Sequence, residues 1–343
     1  MRRGRRSFLR VAGRSVLVGA GTVMTRAAAA AEPAAPQTPS APVSFPNVPN
    51  PLEGPVEVIA GGYTWTEGPV WVGGEQGHLL FSDVPGNAIF SWDGKRTTVF
   101  LAPSGYQGFP IPATLREAGS NGLALGRGGL LLADSGTRAI VRVDLATRQR
   151  TILAESFQGK RFNSPNDMVL ARNGDIYFTD PPFGLTDVQK SKLRELTYTG
   201  VFRLTPDNQV HLVADNLSPN GIALSPDNRT LYVTDSSGWV AIDLDASGVA
   251  IGQRPFVRSE SVGGARGDGM KADSAGNIWT SGRGGIYVFS PKGEHIGFAP
   301  IAGRVSNCCF GPGRSLYVSN DTQVVRGRIR ADFPGGVPIR TPV

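Results

Sequence analysis

A chain of 343 residues that is 40% hydrophobic and 18% charged has the composition of an ordinary globular protein, which excludes the disordered and fibrous classes. The net charge of +7 would suggest a nucleic acid or an anionic membrane as partner, but residues 1–31 contain seven arginines and no acidic residue. Without those seven, 28 of the 35 basic residues remain against 28 acidic ones. The sequence therefore predicts no nucleic-acid partner.

The first 31 residues have the features of an export signal. The motif RRSFL at residues 5–9 is followed by a Gly/Ala-rich apolar stretch at residues 15–25 and then by an alanine-rich region. This order resembles a twin-arginine signal, and a plain secretory signal or an uncleaved anchor are the alternatives. A helix needs about 20 apolar residues to span a bilayer, and this stretch is too short for that. We therefore expect no stable membrane insertion.

Three segments follow from this interpretation. Residues 1–31 are predicted to be a twin-arginine-type signal peptide, residues 32–51 a Pro/Ala-rich linker, and residues 52–343 one folded domain. The export machinery is then a partner of the precursor. The mature protein is expected in the periplasm or outside the cell.

From residue 67 onward one pattern recurs six times. A polar residue stands ahead of an apolar strand, a turn containing Gly or Asn follows, and a second strand carries β-branched or aromatic residues. In the third repeat, for example, MVLA and DIYFTD are predicted to form a hairpin joined at Asn173-Gly174. The polar residues that head the first strands, called here the strand heads, are Glu67, Asn121, Asn166, Asn220, Asp268 and Asn307.

The spacing of the repeats predicts an all-β fold, a six-bladed β-propeller. Successive strand heads are 54, 45, 54, 48 and 39 residues apart, close to the about 40–45 residues of one four-stranded blade. The last repeat is too short for a fourth strand. We expect the segment PVEVIAG at residues 55–61 to supply that strand and close the ring from the N-terminal side.

The strand heads have two interpretations. Asn, Asp and Ser commonly form the turn that enters a strand. The first strand of each blade is innermost, however, so the heads would converge on one mouth of the central channel. Turn formation does not explain Glu67, a poor turn former, or the meeting there of two carboxylates that would repel each other.

A bound cation would relieve that repulsion. Carboxylate and amide oxygens suit a hard ion such as Ca²⁺, which accepts six to eight of them. The predicted metal ligands are Glu67, Asn166, Asn220 and Asp268. Mg²⁺ or Mn²⁺ could also bind, whereas Zn²⁺ is less favoured because no histidine heads a strand. Cys308 and Cys309 are adjacent and are expected to be buried, unbridged apolar residues.

Further polar residues are candidates for contacts with a substrate. Asn121 could bind the substrate or a water molecule, Asp167 could support Asn166 or form a turn, and Asp180 could be a corner residue or a substrate contact. The loop from Thr186 to Tyr198 is the longest charged insertion. It could act as a lid or could be an ordinary solvated loop.

Several motifs together resemble one enzyme family. TEGPVW, GSNGLAL, NSPNDMV, YFTDPPFGL, SPNGIALSPD and GDGMKAD occur in this order between about residues 57 and 328. They are similar to the gluconolactonase-like branch of the family that includes senescence marker protein and the luciferin-regenerating enzyme. The resemblance implies a six-bladed propeller, one divalent metal held by the four ligands named above, and hydrolysis of lactones.

The resemblance also implies that Asp268 acts as the base, so Asp268 and Glu67 are the catalytic candidates. Two positions depart from the family pattern: Ser164 replaces an arginine that touches the sugar in mammalian members, and Asp134-Ser135 replaces a Glu-His pair. The substrate is therefore expected to be a small, sugar-derived lactone without further definition. A phosphotriesterase using the same site and a non-catalytic, metal-stapled binding module are the alternatives.

Overall fold

A computed structural model describes residues 43–339, and these residues are built almost entirely of strands and turns. The signal-peptide prediction and most of the linker prediction fall outside them. Residues 43–339 also contain three short 3₁₀ helices, at Val188–Lys190, Ser259–Val262 and Pro312–Arg314. Within the same residues, no helix has the length and apolar character that crossing a membrane would require.

The strands alternate with tight turns, as the spacing of glycine and asparagine predicts. In chain order they are β1 (Glu57–Gly61), β2 (Thr66–Val72), β3 (His78–Asp83), β4 (Ala88–Trp92), β5 (Thr97–Leu101), β6 (Ser120–Gly126), β7 (Gly129–Asp134), β8 (Ala139–Val143), β9 (Arg150–Ala154), β10 (Ser156–Phe157), β11 (Lys160–Arg161), β12 (Met168–Leu170), β13 (Ile176–Asp180), β14 (Gly200–Leu204), β15 (Val210–Ala214), β16 (Ile222–Leu224), β17 (Thr230–Asp235), β18 (Gly238–Leu244), β19 (Ala250–Arg258), β20 (Met270–Ala272), β21 (Ile278–Phe289), β22 (His295–Phe310), β23 (Ser315–Asn320) and β24 (Gln323–Arg328).

The predicted hairpin of the third repeat is confirmed. Strands β12 and β13 pair antiparallel, with Met168 opposite Phe178 and Leu170 opposite Ile176. Gly174 has a φ of +87°, a value that glycine adopts without the steric cost of a Cβ, and its N–H donates to the carbonyl of Ala171 across the turn.

The larger sheets have a propeller-like arrangement. Four of them contain four strands each: β2–β5, β6–β9, β12–β15 and β16–β19. The fifth contains six strands, in the order β1, β24, β23, β22, β21, β20, and a two-stranded ribbon of β10 and β11 stands apart. Within each four-stranded sheet the strands are consecutive in the chain, as in a propeller blade.

The prediction of six blades is wrong in number, because the described residues form five blade-like sheets. The cause is the length of two strands. Strand β21 runs through 12 residues and β22 through 16 residues without interruption. The last two sequence repeats are therefore joined in one six-stranded sheet, although each has the residue pattern of a separate repeat.

The first strands of the sheets surround a common axis. Strands β2, β6, β12, β16 and β20 contact one another in that order, and β22 contacts both β20 and β2. Apolar clusters fill the spaces between neighbouring sheets, such as Leu80 and Ile89 packed with Leu123 and Leu130. A cavity of about 780 Å³ lies at the C-terminal ends of these first strands.

The N-terminal strand lies at the outer edge of the fifth sheet. Strand β1 pairs antiparallel with β24, with Glu57 opposite Arg326 and Gly61 opposite Gln323. Leu52, just before it, is 5% exposed and belongs to the apolar core of the same sheet. That this strand closes the ring stays a prediction.

Removing the strand should lower thermal stability. Two chains that begin at residues 51 and 62 differ by Leu52 and by the whole of β1, so the shorter chain loses a buried leucine and exposes the edge of β24. We expect its melting temperature to be lower by at least about 5 °C. Equal melting temperatures, measured by calorimetry, would show that β1 contributes nothing to the ring.

Candidate active site

Five of the six strand heads line one cavity. It has a volume of about 430 Å³ and lies at the N-terminal ends of the first strands. Its lining residues are Thr64, Trp65, Glu67, Pro85, Arg116, Glu117, Asn121, Asn166, Phe183, Asn220, Asp268 and Arg304. The structure thus brings together the four predicted metal ligands and Asn121.

Glycines that follow the heads permit this close approach. Gly68 has a φ of +51°, and a Cβ there would stand 2.2 Å from the carbonyl oxygen of Asn121. A Cβ on Gly221 would stand equally close, 2.2 Å, to the carbonyl oxygen of Asp268. Any side chain at either position would push neighbouring first strands apart, which explains the EG and NG dipeptides of the repeats.

The backbone of one head is tied to the next by hydrogen bonds. The N–H of Gly122 donates to the carbonyl of Asn166 at 2.7 Å, and the N–H of Gly221 donates to the carbonyl of Asp268 at 3.1 Å. These bonds fix the heads relative to each other through the main chain. The head side chains are thereby left free to face the cavity.

The two carboxylates among the predicted metal ligands are buried and repel each other. Glu67 is 3% exposed, and burial, followed by the charge of Asp268, raises its pKa well above the usual value, although its Oε2 accepts a hydrogen bond of 3.0 Å from Gly68 N–H. Burial, together with the charges of Asp167 and Glu117, raises the pKa of Asp268 to about 7. Arg304 opposes this increase.

A polar layer underlies the carboxylates. The sixth head, Asn307, donates from Nδ2 to Oδ2 of Asp167 at 3.3 Å and also lowers the pKa of Glu67 by hydrogen bonding. Lys271 Nζ lies 3.7 Å from the same Asp167 oxygen and donates to Asn307 Oδ1 at 3.2 Å. Asp167 contacts both of these side chains and does not line the cavity. A role in binding the substrate stays a prediction.

Asp180 is also outside the cavity lining. Its Oδ2 accepts hydrogen bonds from the backbone N–H of Asn163 at 2.7 Å and from Asn163 Nδ2 at 3.2 Å. Burial raises its pKa to about 7. Ser164 likewise faces a loop, because its hydroxyl donates to the carbonyl of Pro181 at 2.6 Å. Both side chains connect the segment at Asn163–Ser164 with the end of β13, and a substrate contact by Asp180 stays a prediction.

The loop from Thr186 to Tyr198 contributes no residue to the cavity lining. Its start is tied to a neighbouring loop, because Thr186 N–H donates to Thr114 O and Thr186 Oγ1 to Ala113 O. Arg194 holds its end through hydrogen bonds to Asn163 Oδ1 and Tyr198 O. A lid role stays a prediction.

Sequence reasoning missed seven of the residues that line the cavity, and five of the seven are charged or aromatic. The five are Trp65, Arg116, Glu117, Phe183 and Arg304. Arg304 lies over the ring of Trp65, with 4.5 Å from its guanidinium carbon to the ring centroid. None of the five occupies a repeated position, so the repeat pattern gave no signal for them.

The donor set fits a hard divalent cation. Two buried carboxylates stand with two amides and with Asn121, whose Oδ1 has no hydrogen-bond partner in the described part of the chain. Among residues 43–339, no three His, Cys, Asp or Glu side chains are grouped so as to hold a metal ion. A cation here would therefore depend on Asn166 and Asn220 as well as on Glu67 and Asp268. Both cysteines are buried and free, as expected.

A propeller-like β fold with a polar cavity at the strand heads defines the class of protein. The family model described as SMP-30/gluconolactonase/LRE-like region matches residues 65–322. The chain belongs to this family.

Individual relatives agree with this membership. The chain is 46% identical over 296 residues to a gluconolactonase from Zymomonas mobilis. The aligned region covers 80% of this chain and 82% of the relative. A solved gluconolactonase from Xanthomonas campestris has 31% identity and a TM-score of 0.70, covering 87% of this chain and 98% of that one. A calcium-binding regucalcin from Agrobacterium tumefaciens, at 20% identity and a TM-score of 0.63 over 85% and 99% of the two chains, shares the fold.

Asp268→Asn should stabilise the metal-free protein at alkaline pH. Because the folded pKa of Asp268 is about 7 and an unfolded aspartate titrates near pH 4, the folded state binds the extra proton between these values. Stability of the wild type should therefore fall as pH rises from about 4 to about 7 and stay low above. Asparagine removes that dependence, while Glu67, Asp167, Glu117 and Arg304 still face the position.

In a chelating buffer, melting temperatures of variant and wild type should agree near pH 4 and diverge by pH 8, with the variant higher. Asp93→Asn is the matched control, because hydrogen bonds from Arg96 and Lys95 lower the pKa of that exposed carboxylate. The control should gain nothing at pH 8. Parallel curves for Asp268→Asn and the wild type would refute the electrostatic description of the site.

Proposed function

We propose that this protein hydrolyses a small, sugar-derived lactone with the help of one divalent cation held by Glu67, Asn166, Asn220 and Asp268. The observation that carries the proposal is the convergence of these four side chains on one cavity, in a chain 46% identical to a gluconolactonase. Calcium is the first candidate. The regucalcin named above shares only the fold, so the choice of calcium rests on the oxygen donors themselves.

Opening a lactone requires attack by water on the carbonyl carbon, cleavage of the ring C–O bond and delivery of a proton to the departing alkoxide. A bound divalent cation would supply polarisation of the carbonyl. Asp268 lines the cavity and can accept a proton from water and return it to the ring oxygen. Glu67, oriented by Gly68 N–H, is the second carboxylate available for proton transfer.

The proposal predicts metal-dependent lactonase activity that requires Asp268. The mature chain, residues 33–343, should hydrolyse glucono-1,5-lactone, lose this activity after chelation and regain it with Ca²⁺, Mg²⁺, Mn²⁺ or Zn²⁺. Asp268→Asn should reduce kcat by about 10²-fold or more because it removes a proton acceptor. Asp93→Asn, an exposed position outside the cavity, is the control.

The alternative functions give different results in the same experiment. A phosphotriesterase would hydrolyse phosphotriesters and leave all lactones intact. A non-catalytic binding module would bind the cation, with a higher melting temperature in its presence, and turn over neither class. Either result would overturn the lactonase proposal.

We also propose that the precursor is exported by the twin-arginine route to the periplasm or beyond. The support is the RRSFL motif at residues 5–9 of the sequence. Replacing Arg5 and Arg6 together by lysine should retain the precursor inside the cell, whereas replacing Arg2 and Arg3 should not. Export that survives the Arg5/Arg6 replacement, measured by fractionation and immunoblot, would favour an ordinary secretory signal.

A further inference from the structure

We propose that Glu117 is a specificity-determining residue whose carboxylate accepts a hydrogen bond from a hydroxyl group of the lactone, with Asn121 accepting a second. The proposal rests on the lactonase function proposed above. It adds a role for a residue that heads no strand and belongs to none of the repeats.

Glu117 has one satisfied and one unsatisfied oxygen. Its side chain lines the cavity and the residue is 7% exposed. Oε1 accepts a hydrogen bond of 2.9 Å from Arg116 Nη2, while Oε2 is buried and has no hydrogen-bond partner within residues 43–339. A buried carboxylate oxygen without a donor costs free energy, and a donor on a ligand in the cavity would offset that cost.

The backbone holds Glu117 rigidly beside the cavity. The N–H groups of Arg116 and Glu117 both donate to the carbonyl of Gly184, at 2.9 and 3.1 Å. Leu115 forms a β-bridge with Leu185 in the same loop. The carboxylate is therefore carried by two loops that brace each other, which suits a group that must recognise a substrate in one orientation.

Asn121 places a second unsatisfied acceptor at the same cavity. It is 2% exposed, and its Oδ1 has no partner in the described residues. Glu117 lies three residues before β6 begins, and Asn121 is the second residue of that strand. A lactone ring offers only acceptors, at its carbonyl and ring oxygens, so two protein acceptors would meet donors only if the substrate carries hydroxyl groups.

Two simpler roles for Glu117 do not account for its position. As a metal ligand it would form a group of three carboxylates with Glu67 and Asp268, and no such group exists among residues 43–339. As a structural ion pair its value would be small, because the side chain of Arg116 is 55% exposed and water screens the interaction.

The test compares two six-membered lactones that differ in their hydroxyl groups. Glu117→Ala should raise KM for glucono-1,5-lactone and lower kcat/KM by about 10- to 100-fold, the effect of one hydrogen bond to a charged group, with little change in kcat. For δ-valerolactone, which has no hydroxyl group, kcat/KM should change less than about threefold. Glu57→Gln, which removes an exposed carboxylate paired with Arg326, is the matched control.

Thermal stability gives a second readout. Because Glu117→Ala removes a buried oxygen that lacks a partner, the melting temperature of the free protein should stay equal or rise. A merely structural role would instead lower the melting temperature and reduce turnover of both lactones alike, and that result would overturn the inference. If the wild type is active and Glu117→Ala hydrolyses glucono-1,5-lactone with unchanged kinetics, the role of Glu117 is overturned and the lactonase proposal stands. If the wild type hydrolyses neither lactone, both proposals are overturned.

Discussion

The burial of two like charges where the innermost strands converge is the constraint on which the rest of this structure depends. Glu67 lies in β2 of the first sheet and Asp268 lies two residues before β20 of the fifth, and the ring of first strands brings them to one cavity. Taking carboxylates out of water raises the pKa of each, and their proximity adds to the effect. Main-chain hydrogen bonds from Gly122 to Asn166 and from Gly221 to Asp268 hold neighbouring first strands in place against the repulsion.

The chain supplies part of the compensation itself. Lys271 projects from β20 toward Asp167, and Asn307 connects Asp167 with Glu67 through hydrogen bonds. Arg304 acts on Asp268 from the cavity side. Three cationic side chains, Lys271, Arg304 and Arg116, therefore face four carboxyl groups, counting Glu117, so acidic groups remain in excess at the cavity. This excess is what a divalent cation would neutralise, and it links the architecture of the ring to the proposed chemistry.

The sequence predicts the strand heads well because each is defined by a local pattern, a polar residue before an apolar strand, that the ring geometry then gathers. Asn166 and Asp268 could be placed at one mouth from spacing alone. The number of sheets could not be predicted from the sequence. The last two repeats would form separate sheets only if β21 and β22 were each interrupted near the middle, and this depends on the backbone conformation near Gly284 and Gly303. Glu117 was hidden for another reason. Its importance comes from an unsatisfied oxygen and from loop contacts with Gly184, and neither feature produces a repeated pattern in the sequence.

The two ends of the first strands differ in the residues that they carry. Each of these strands starts with a polar head at the smaller cavity and ends with apolar residues, among them Trp71, Leu125 and Leu170, at the larger cavity of about 780 Å³. Lys271 borders the larger cavity, yet its ammonium group is engaged by Met270 O, Asn307 and Asp167. The charge of Lys271 is thus used inside the protein and is not offered to a ligand at that end. Within residues 43–339, the mouth at the strand heads combines an excess of acidic groups with the unsatisfied acceptors of Glu117 and Asn121, and this is why we propose the reaction there. The apolar ends of the same strands contribute the packing that keeps the heads in register.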